Sequence, residues 1–350
     1  MNYRYDRIIG TGGIGKGMLF LTGDNRTLGR SESRLVELSD AKDYCKLHIV
    51  FHYIAALLTP GVLVVPIGCV GADSIGDTLI EEMREAGMDM RCVARDPVLP
   101  TALSICLQYP DKDGFNFTAS NGAGSTVTPD YIRSCMERLQ VDEKTIVAAI
   151  PEVPMESRTE LLRLGRRKGG LCVLSVTAGE AVQAKELGLF HNCGLLAVNK
   201  EEAEAIIGRQ EKDAERTARD LYGYAACDNP DIRILVTCGK DGAYAVDRLG
   251  MEHIPSIPAV AVNTTGAGDA LLGGMIAGLA LGYPFRKGRS DRRFAESPLS
   301  SAAELGCICA GMAIESKDSI ARGVTEEAIA ARIKSEGWVG EKRFRSILKG

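Results

Sequence analysis

The chain has 350 residues, 45% hydrophobic, 25% charged and 5% aromatic, the proportions of a globular protein and not of a disordered one. With 42 Lys and Arg against 46 Asp and Glu its formal charge is −4, so no basic excess drives it to nucleic acid or a membrane surface. Its longest strongly apolar stretch, residues 270–281, is 12 residues with three Gly, short of the about 20 that a membrane span needs.

Residues 1–7 are polar and precede no cleavable apolar core, so no signal peptide is expected. Gly10-Thr11-Gly12-Gly13-Ile14-Gly15 matches G-x-G-x-x-G, and Gly10 to Lys16 reads G-x-x-x-x-G-K. A dinucleotide turn and a P-loop both need a helix next. A short strand-like run, 18–21, follows instead, and Gly17 stands where a P-loop has Ser or Thr. The segment reads as a Gly-rich floor where backbone approaches a ligand closely. Gly12 and Gly13 are candidate substrate contacts there; Lys16 either meets an anionic group or stays in solvent. Residues 17–23 and 102–117 alternate apolar and polar side chains, which predicts antiparallel strands, the second a hairpin around Asp111-Lys112-Asp113-Gly114. Such strands suit a lid over a cleft. Arg26, Arg30 and Arg34 recur every four residues and read as a solvated face. His48 and His52 share one helix face. They serve packing or substrate contact, since a metal site needs further ligands at suitable spacing.

Residues 63–70 predict a buried strand, and 77–86 a helix closed by Gly87. Further strands are expected at 145–150, 171–176, 195–198, 232–237, 243–246 and 259–262. Helices are expected at 157–167, with Arg166-Arg167-Lys168 at its C-terminus, at 200–207 closing on Gly208, at 266–281 and at 300–314. The tail, 326–350, is helical, then basic, and peripheral. This alternation predicts an α/β fold with a mainly parallel sheet. No Pro/Gly/Ser-rich linker divides the chain, so a single domain over 1–350 is expected, with lid strands within 15–35 and 100–120. Eleven Cys without a C-x-x-C pair predict reduced thiols in the cytoplasm.

The chemistry concentrates in Asn263-Thr264-Thr265-Gly266-Ala267-Gly268-Asp269, at the start of the 266–281 helix. Unpaired amides and the helix dipole there favour an anion. A carboxylate at Asp269 can take a proton from a hydroxyl while the amides stabilise a phosphoryl group under attack. A capping Asp with Gly for close packing is the structural alternative.

G-A-G-D after two Thr, opening a Gly/Ala-rich helix, resembles the C-terminal signature of the ribokinase-like (PfkB-type) sugar and nucleoside kinases. Gly71-Ala72-Asp73-Ser74-Ile75-Gly76 resembles their G-x-D-x-x-G, Asn199-Lys200-Glu201-Glu202 their N-x-x-E, and Thr237-Cys238-Gly239-Lys240-Asp241-Gly242 their T-x-G-x-x-G, in the family's order over residues 5–323. The resemblance implies a three-layer α/β/α core with a small antiparallel β lid, and transfer of the γ-phosphoryl group of ATP to a hydroxyl, a primary CH2OH, of a sugar or sugar-like molecule. It makes Asp269 the general base and Gly266, Ala267 and Gly268 the anion hole. Asn199 and Glu202 would hold Mg2+ through waters, as an ion that keeps its waters prefers; the same pair is also a common helix N-cap pattern. Thr237, Gly239, Gly242 and Thr265 would line the nucleotide. Pairing of lids implies a homodimer.

The chain departs from the family in three places. Asn263 replaces the Asp that usually opens the last motif; a neutral amide weakens the monovalent-cation site of K+-activated members and puts K+ activation in doubt. Counting back from Gly71 puts His52 where the sugar-binding Asn falls, and Gly15 where many members have an Asp. Ser175-Val176-Thr177 stands at the family's Asp-x-Asn. A nucleoside kinase, or a ligand-binding protein that kept the fold and lost catalysis, are the alternatives; an NAD-dependent oxidoreductase is a more distant third.

Overall fold

The computed structural model describes residues 3–111, 114–287 and 299–335. Lys112 and Asp113 of the expected hairpin turn, and the basic end of the expected tail, lie outside the described residues. The strands are β1 (Arg7–Thr11), β2 (Gly15–Leu21), β3 (Glu37–Leu38), β4 (Asp43–Tyr44), β5 (Leu63–Gly71), β6 (Val93–Asp96), β7 (Ala102–Gln108), β8 (Gly114–Thr118), β9 (Thr145–Ala149), β10 (Leu171–Leu174), β11 (Leu195–Asn199), β12 (Arg233–Thr237), β13 (Ala243–Asp247) and β14 (Gly250–Ile254). The helices are α1 (Lys46–Leu58), α2 (Ser74–Glu85), α3 (Pro129–Arg138), α4 (Met155–Arg167), α5 (Ala181–Glu186), α6 (Leu189–Asn192), α7 (Lys200–Ile207), α8 (Ala214–Ala226), α9 (Ala267–Leu281), α10 (Ala302–Ile314) and α11 (Glu326–Ser335).

Nine strands form one sheet in the order β14-β13-β12-β11-β10-β9-β1-β5-β6. Every neighbouring pair from β12 to β6 is parallel, and β13 and β14 close one edge antiparallel. The strands read as near-continuous apolar runs because both faces are covered. Ile8, Val64 and Ile146 point into a core shared with α1, α2, α9, α10 and α11. Their successors Ile9, Val65 and Val147 point into a second core with α3 to α8. The result is the expected three layers. Strand order turns at β1: the chain builds β5 and β6 to one side, then β9 to β12 to the other. Ligands of open α/β sheets bind at such a turning point, beyond the C-terminal strand ends. Gly12, Glu152, Asn199 and Cys238 follow or end β1, β9, β11 and β12 on that edge.

The smaller sheet runs β3-β2-β7-β8, with β4 also on β2. β7 and β8 pair antiparallel as expected, as do β2 with β3 and with β4, whereas β2 and β7 run parallel. Asp73 of the G-x-D-x-x-G segment secures its base. It caps α2 through Gly76 N (2.8 Å) and accepts from Thr101 N (2.8 Å) and Thr101 Oγ1 (2.7 Å), just before β7. Arg26 and Arg34 sit on an irregular stretch of the lid rim, paired with Asp24 and Glu32.

Helix α9 is buried at every residue from Ala270 to Ala280. Its glycines are there for space: a Cβ on Gly273 would lie 2.6 Å from Val50 O of α1, and one on Gly274 2.6 Å from Cys309 Sγ of α10. The close approach locks the start of α9 to the start of α1. The strand expected at 259–262 is absent; Val262 N and Asn263 N instead donate to Ile314 O (2.7 and 3.2 Å). The last turn of α10 offers a carbonyl with no intrahelical partner, and the run closes on it.

Candidate active site

A cleft of about 1430 Å3 opens along the C-terminal strand ends and reaches the start of α9. Asn199, Glu202, Thr237, Gly239, Gly242, Gly266, Ala267, Gly268 and Asp269 all line it, so one cavity collects residues drawn from three separate motifs. Thr265 lies beside it, its amide donating to Asn263 Oδ1 (3.0 Å).

Gly266 caps α9 with φ +80, a left-handed conformation that a side chain resists, and a Cβ there would lie 2.8 Å from Ser319 O. Ala270 N returns to Gly266 O (2.8 Å) and starts the helical ladder, while Ala267 N makes a turn to Thr264 O (3.3 Å). Among the described residues the amides of Gly266, Gly268 and Asp269 have no backbone acceptor. A Cβ on Gly268 would meet nothing within 4 Å, so this amide stands at an open face. That is a helix N-terminus ready for an anion.

Asp269 is 15% exposed at its side chain, and Lys46 Nζ lies 3.7 Å from Asp269 Oδ2. Burial pushes the Asp269 carboxyl up, and the Lys46 ammonium pulls it back down. Lys46 is held protonated, first by Asp269 and then by Glu152 and Glu202. The sequence reading missed Lys46. Its one signal is a lone cation opening the apolar run of α1, where the helix dipole disfavours it.

Glu152 was also missed. It follows β9 in Pro151-Glu152-Val153-Pro154, and among the described residues it is the non-glycine with positive φ (+77). Strained backbone of this kind collects at functional sites. Its carboxylate accepts Lys46 N (2.9 Å) and Thr118 Oγ1 of the lid (3.3 Å), and burial raises its pKa. It fills the space that a Cβ on Gly13 would need, which brings the Gly-rich floor to the site at Gly13. Gly12 packs on Ile150 and Leu47.

Asn199 and Glu202 form a complete capping box on α7: Asn199 Oδ1 accepts Glu202 N (2.8 Å) and Glu202 Oε2 accepts Asn199 N (2.7 Å). The pair thus serves as the N-terminal cap of α7. Among the described residues Glu202 Oε1 accepts no hydrogen bond, and burial lifts this carboxyl to about 7, an environment that a nearby cation would relieve.

His52 is not brought to Asp269. It lies on the face of α1 that carries His48 (ring centroids 6.2 Å apart), within reach of the charges of Arg322 and Glu82. Burial lowers His52 to about 4 and His48 well below its usual range, so both are neutral, packed imidazoles. The face was legible from the i, i+4 spacing; the side of the helix it would occupy was not. Lys16 is exposed on β2. All eleven Cys are free thiols.

The fold and the site together define an α/β phosphotransferase architecture: a helix N-terminus suited to an anion, an acid beside it, and a small second sheet at the strand ends. Residues 52–326 match the pfkB family carbohydrate kinase, and the chain belongs to that family. It is 26% identical to the bifunctional protein HldE of Bradyrhizobium over 246 residues (65% of this chain, 46% of that protein), and 23% identical to ribokinase of Staphylococcus aureus over 210 residues (60% and 66%). It is 25% identical to aminoimidazole riboside kinase of Salmonella typhimurium over 264 residues (73% and 77%). The match spans about half of the first relative and just under two thirds of the second. The fold is that of ribokinase from Giardia lamblia, with TM-score 0.79 at 16% identity over 94% of this chain and 99% of that one. Among the described residues no helix is long and apolar enough to cross a membrane.

Proposed function

We propose that the chain is a kinase that moves the γ-phosphoryl group of MgATP to a hydroxyl, a primary CH2OH, of a sugar or sugar-like small molecule. One observation carries this reading: Asp269, held beside Lys46, shares the head of the cleft with the open amides of Gly266 and Gly268. Asp269 takes the acceptor's hydroxyl proton as that oxygen bonds to the γ-phosphorus. The bond from phosphorus to the β–γ bridging oxygen breaks, and ADP leaves with the electron pair. The amides of Gly266, Ala267 and Gly268 meet the charge on the transferring group. Thr237, Gly239, Gly242 and Thr265 border the nucleotide, and Gly12 and Gly13 floor the acceptor side.

The described residues offer no group of three or more His, Cys, Asp or Glu side chains able to cage a metal, which suits an ion held chiefly by water and phosphate. Glu202, a raised carboxylate with one spare oxygen, and Asn199 fit that outer role. Bound Mg2+ would neutralise phosphate charge and favour departure of ADP. Relatives named for ribose and for a riboside support a sugar or nucleoside acceptor. The test is ADP release with MgATP across a panel of sugars and nucleosides. Acceptor-dependent release supports the reading. Binding of a panel member without transfer supports a silent binding protein. A cytoplasmic setting, with no nucleic-acid or membrane partner, goes with this reading; it is supported by the free thiols and the slight negative charge.

Asn263 uses both ends of its amide: Nδ2 donates to Lys317 O (2.9 Å), and Oδ1 accepts Thr265 N (3.0 Å) and Gln108 Nε2 of the lid (3.3 Å). An NH2 group aimed at a carbonyl takes the place a monovalent cation would seek. Replacing K+ by Na+ or tetramethylammonium in the assay is expected to change kcat/KM less than about twofold, since no charged ligand is lost.

The outer lid face supports a homodimer. Phe20, Leu38, Ile105 and Leu107 neighbour Phe115 and Phe117, which are 37% and 53% exposed. A continuous apolar sheet face of this kind marks an interface. Sedimentation is expected to give a dimer, and Phe117→Asp a monomer that stays folded; a wild-type monomer at high concentration would remove the proposal.

A further inference from the structure

We propose that Asp43, on lid strand β4, reads the acceptor, and that the acceptor is a free sugar or polyol bearing no phosphate or carboxylate. This rests on the kinase reading above and deepens it. Asp43 lies opposite Gly17 in the β2/β4 register. A Cβ on Gly17 would lie 2.5 Å from Asp43 Cγ, so the glycine leaves the space that the carboxylate fills. Asp43 is 3% exposed. Among the described residues its Oδ2 accepts the Cys106 thiol (3.0 Å) and its Oδ1 has no donor. A carboxylate has about four acceptor sites, and leaving them unmet in a buried place is costly. A ligand rich in hydroxyl donors would meet that demand.

The carboxylate is also in the right place. Lys42, just before it, donates its amide to Asp318 Oδ1 (2.8 Å) and accepts Ser319 N (3.0 Å). The same short loop binds Asn263 through Lys317 O and backs Gly266 through Ser319 O. Asp43 is thereby fixed to the frame that holds the start of α9, near enough that its charge acts on Asp269. The inner lid face continues the polar wall: Ser104 and Cys106 alternate inward on β7, and Thr118 reaches from β8 to Glu152. Three acids (Asp43, Glu152 and Asp269) are thus gathered around one amine, Lys46. An acceptor that already carries a phosphate meets this excess negative charge. The lid's aromatic side chains, Phe115 and Phe117, are on the outer face, so a nucleobase gains no stacking wall from them.

The experiment measures ADP release with MgATP for free pentoses, hexoses and polyols, for their terminal phosphate esters, and for nucleosides. Free sugars or polyols are expected to turn over with kcat/KM at least about 100-fold above their own esters, as a two-charge imbalance at close range implies. In Asp43→Asn, which keeps the shape, acceptor KM should rise at least about tenfold and the preference over the ester should narrow, with KM for MgATP within about twofold. The parent-to-ester ratio is read on the unaltered chain, so the test survives a variant that does not fold. Preference for an ester or a nucleoside, or a folded Asp43→Asn with unchanged acceptor KM, overturns the proposal and leaves the kinase reading standing. Absence of transfer to all three classes removes the kinase reading, and this proposal with it.

Discussion

Asp269→Asn is expected to lower kcat by about 10^3, within the range lost with a general base, while MgATP affinity measured by calorimetry stays within about twofold. The amide keeps the size of the side chain and its place in the first turn of α9, so Gly266 and Gly268 still present their N–H groups to phosphate. What disappears is the carboxylate proposed to take the hydroxyl proton. The pH profile separates this from general damage. Burial raises the Asp269 carboxyl and Lys46 only partly offsets it. A base works in its ionised form, so activity is lost as pH falls through the raised pKa. The acid limb of kcat/KM should therefore lie above the ordinary carboxylate value of about 3.9 and vanish in the variant. A variant that turns over at the wild-type rate, or keeps the same limb, would remove Asp269 from the base role. The thermal midpoint is not expected to drop steeply, because the substitution also removes a buried charge.

The sequence made the Gly-rich end of this cleft readable and left the side chains under the lid mostly hidden, for a physical reason. Phosphate is bound by backbone at helix starts and strand ends, and backbone needs Gly in fixed local order. Hence 266–269, Asn199 with Glu202, and Thr237 to Gly242 carry local patterns, and the structure places them along one cleft. The polar groups under the lid come as single side chains from separate elements. Lys46, Glu152 and Thr118 meet only because the lid folds over β1 and β9, and Asp43 joins them from β4. No short window contains two of these except 43–46, and there the pattern is neither strand nor helix. His52 shows the limit of gapless counting: the helix face was correct in period, but its rotation about α1 depends on which side of the helix Gly273 admits. The run 259–262 shows another limit, since a short apolar stretch can close on a helix end instead of a sheet edge.

Lys46→Met is expected to lower kcat/KM by about 10^2 at neutral pH, the loss typical when one preorganised donor at a charged transition state is removed. Unlike the Asp269 change, this defect should depend on pH. The Lys46 ammonium is what holds the Asp269 carboxyl down against burial. Without it the carboxyl rises further and the acid limb moves to higher pH, so the variant regains part of its activity as pH increases. Lys46→Arg keeps the cation and should leave the limb close to its wild-type position, even where the altered geometry costs turnover. Stability follows the same sign. The Lys46 pKa is raised in the folded chain, so its contribution is complete below the unfolded value of about 10.4 and lost only as pH rises through the raised one. With the side chain 31% exposed, the pair lies between the surface and buried cases, and a loss of about 1–2 kcal/mol at pH 7 is expected. That loss should shrink in acid as Asp269 and Glu152 take up protons and no longer need the cation. Urea unfolding at pH 5 and pH 7 checks this, and an equal loss at both values would mean that Lys46 acts by packing and not by charge.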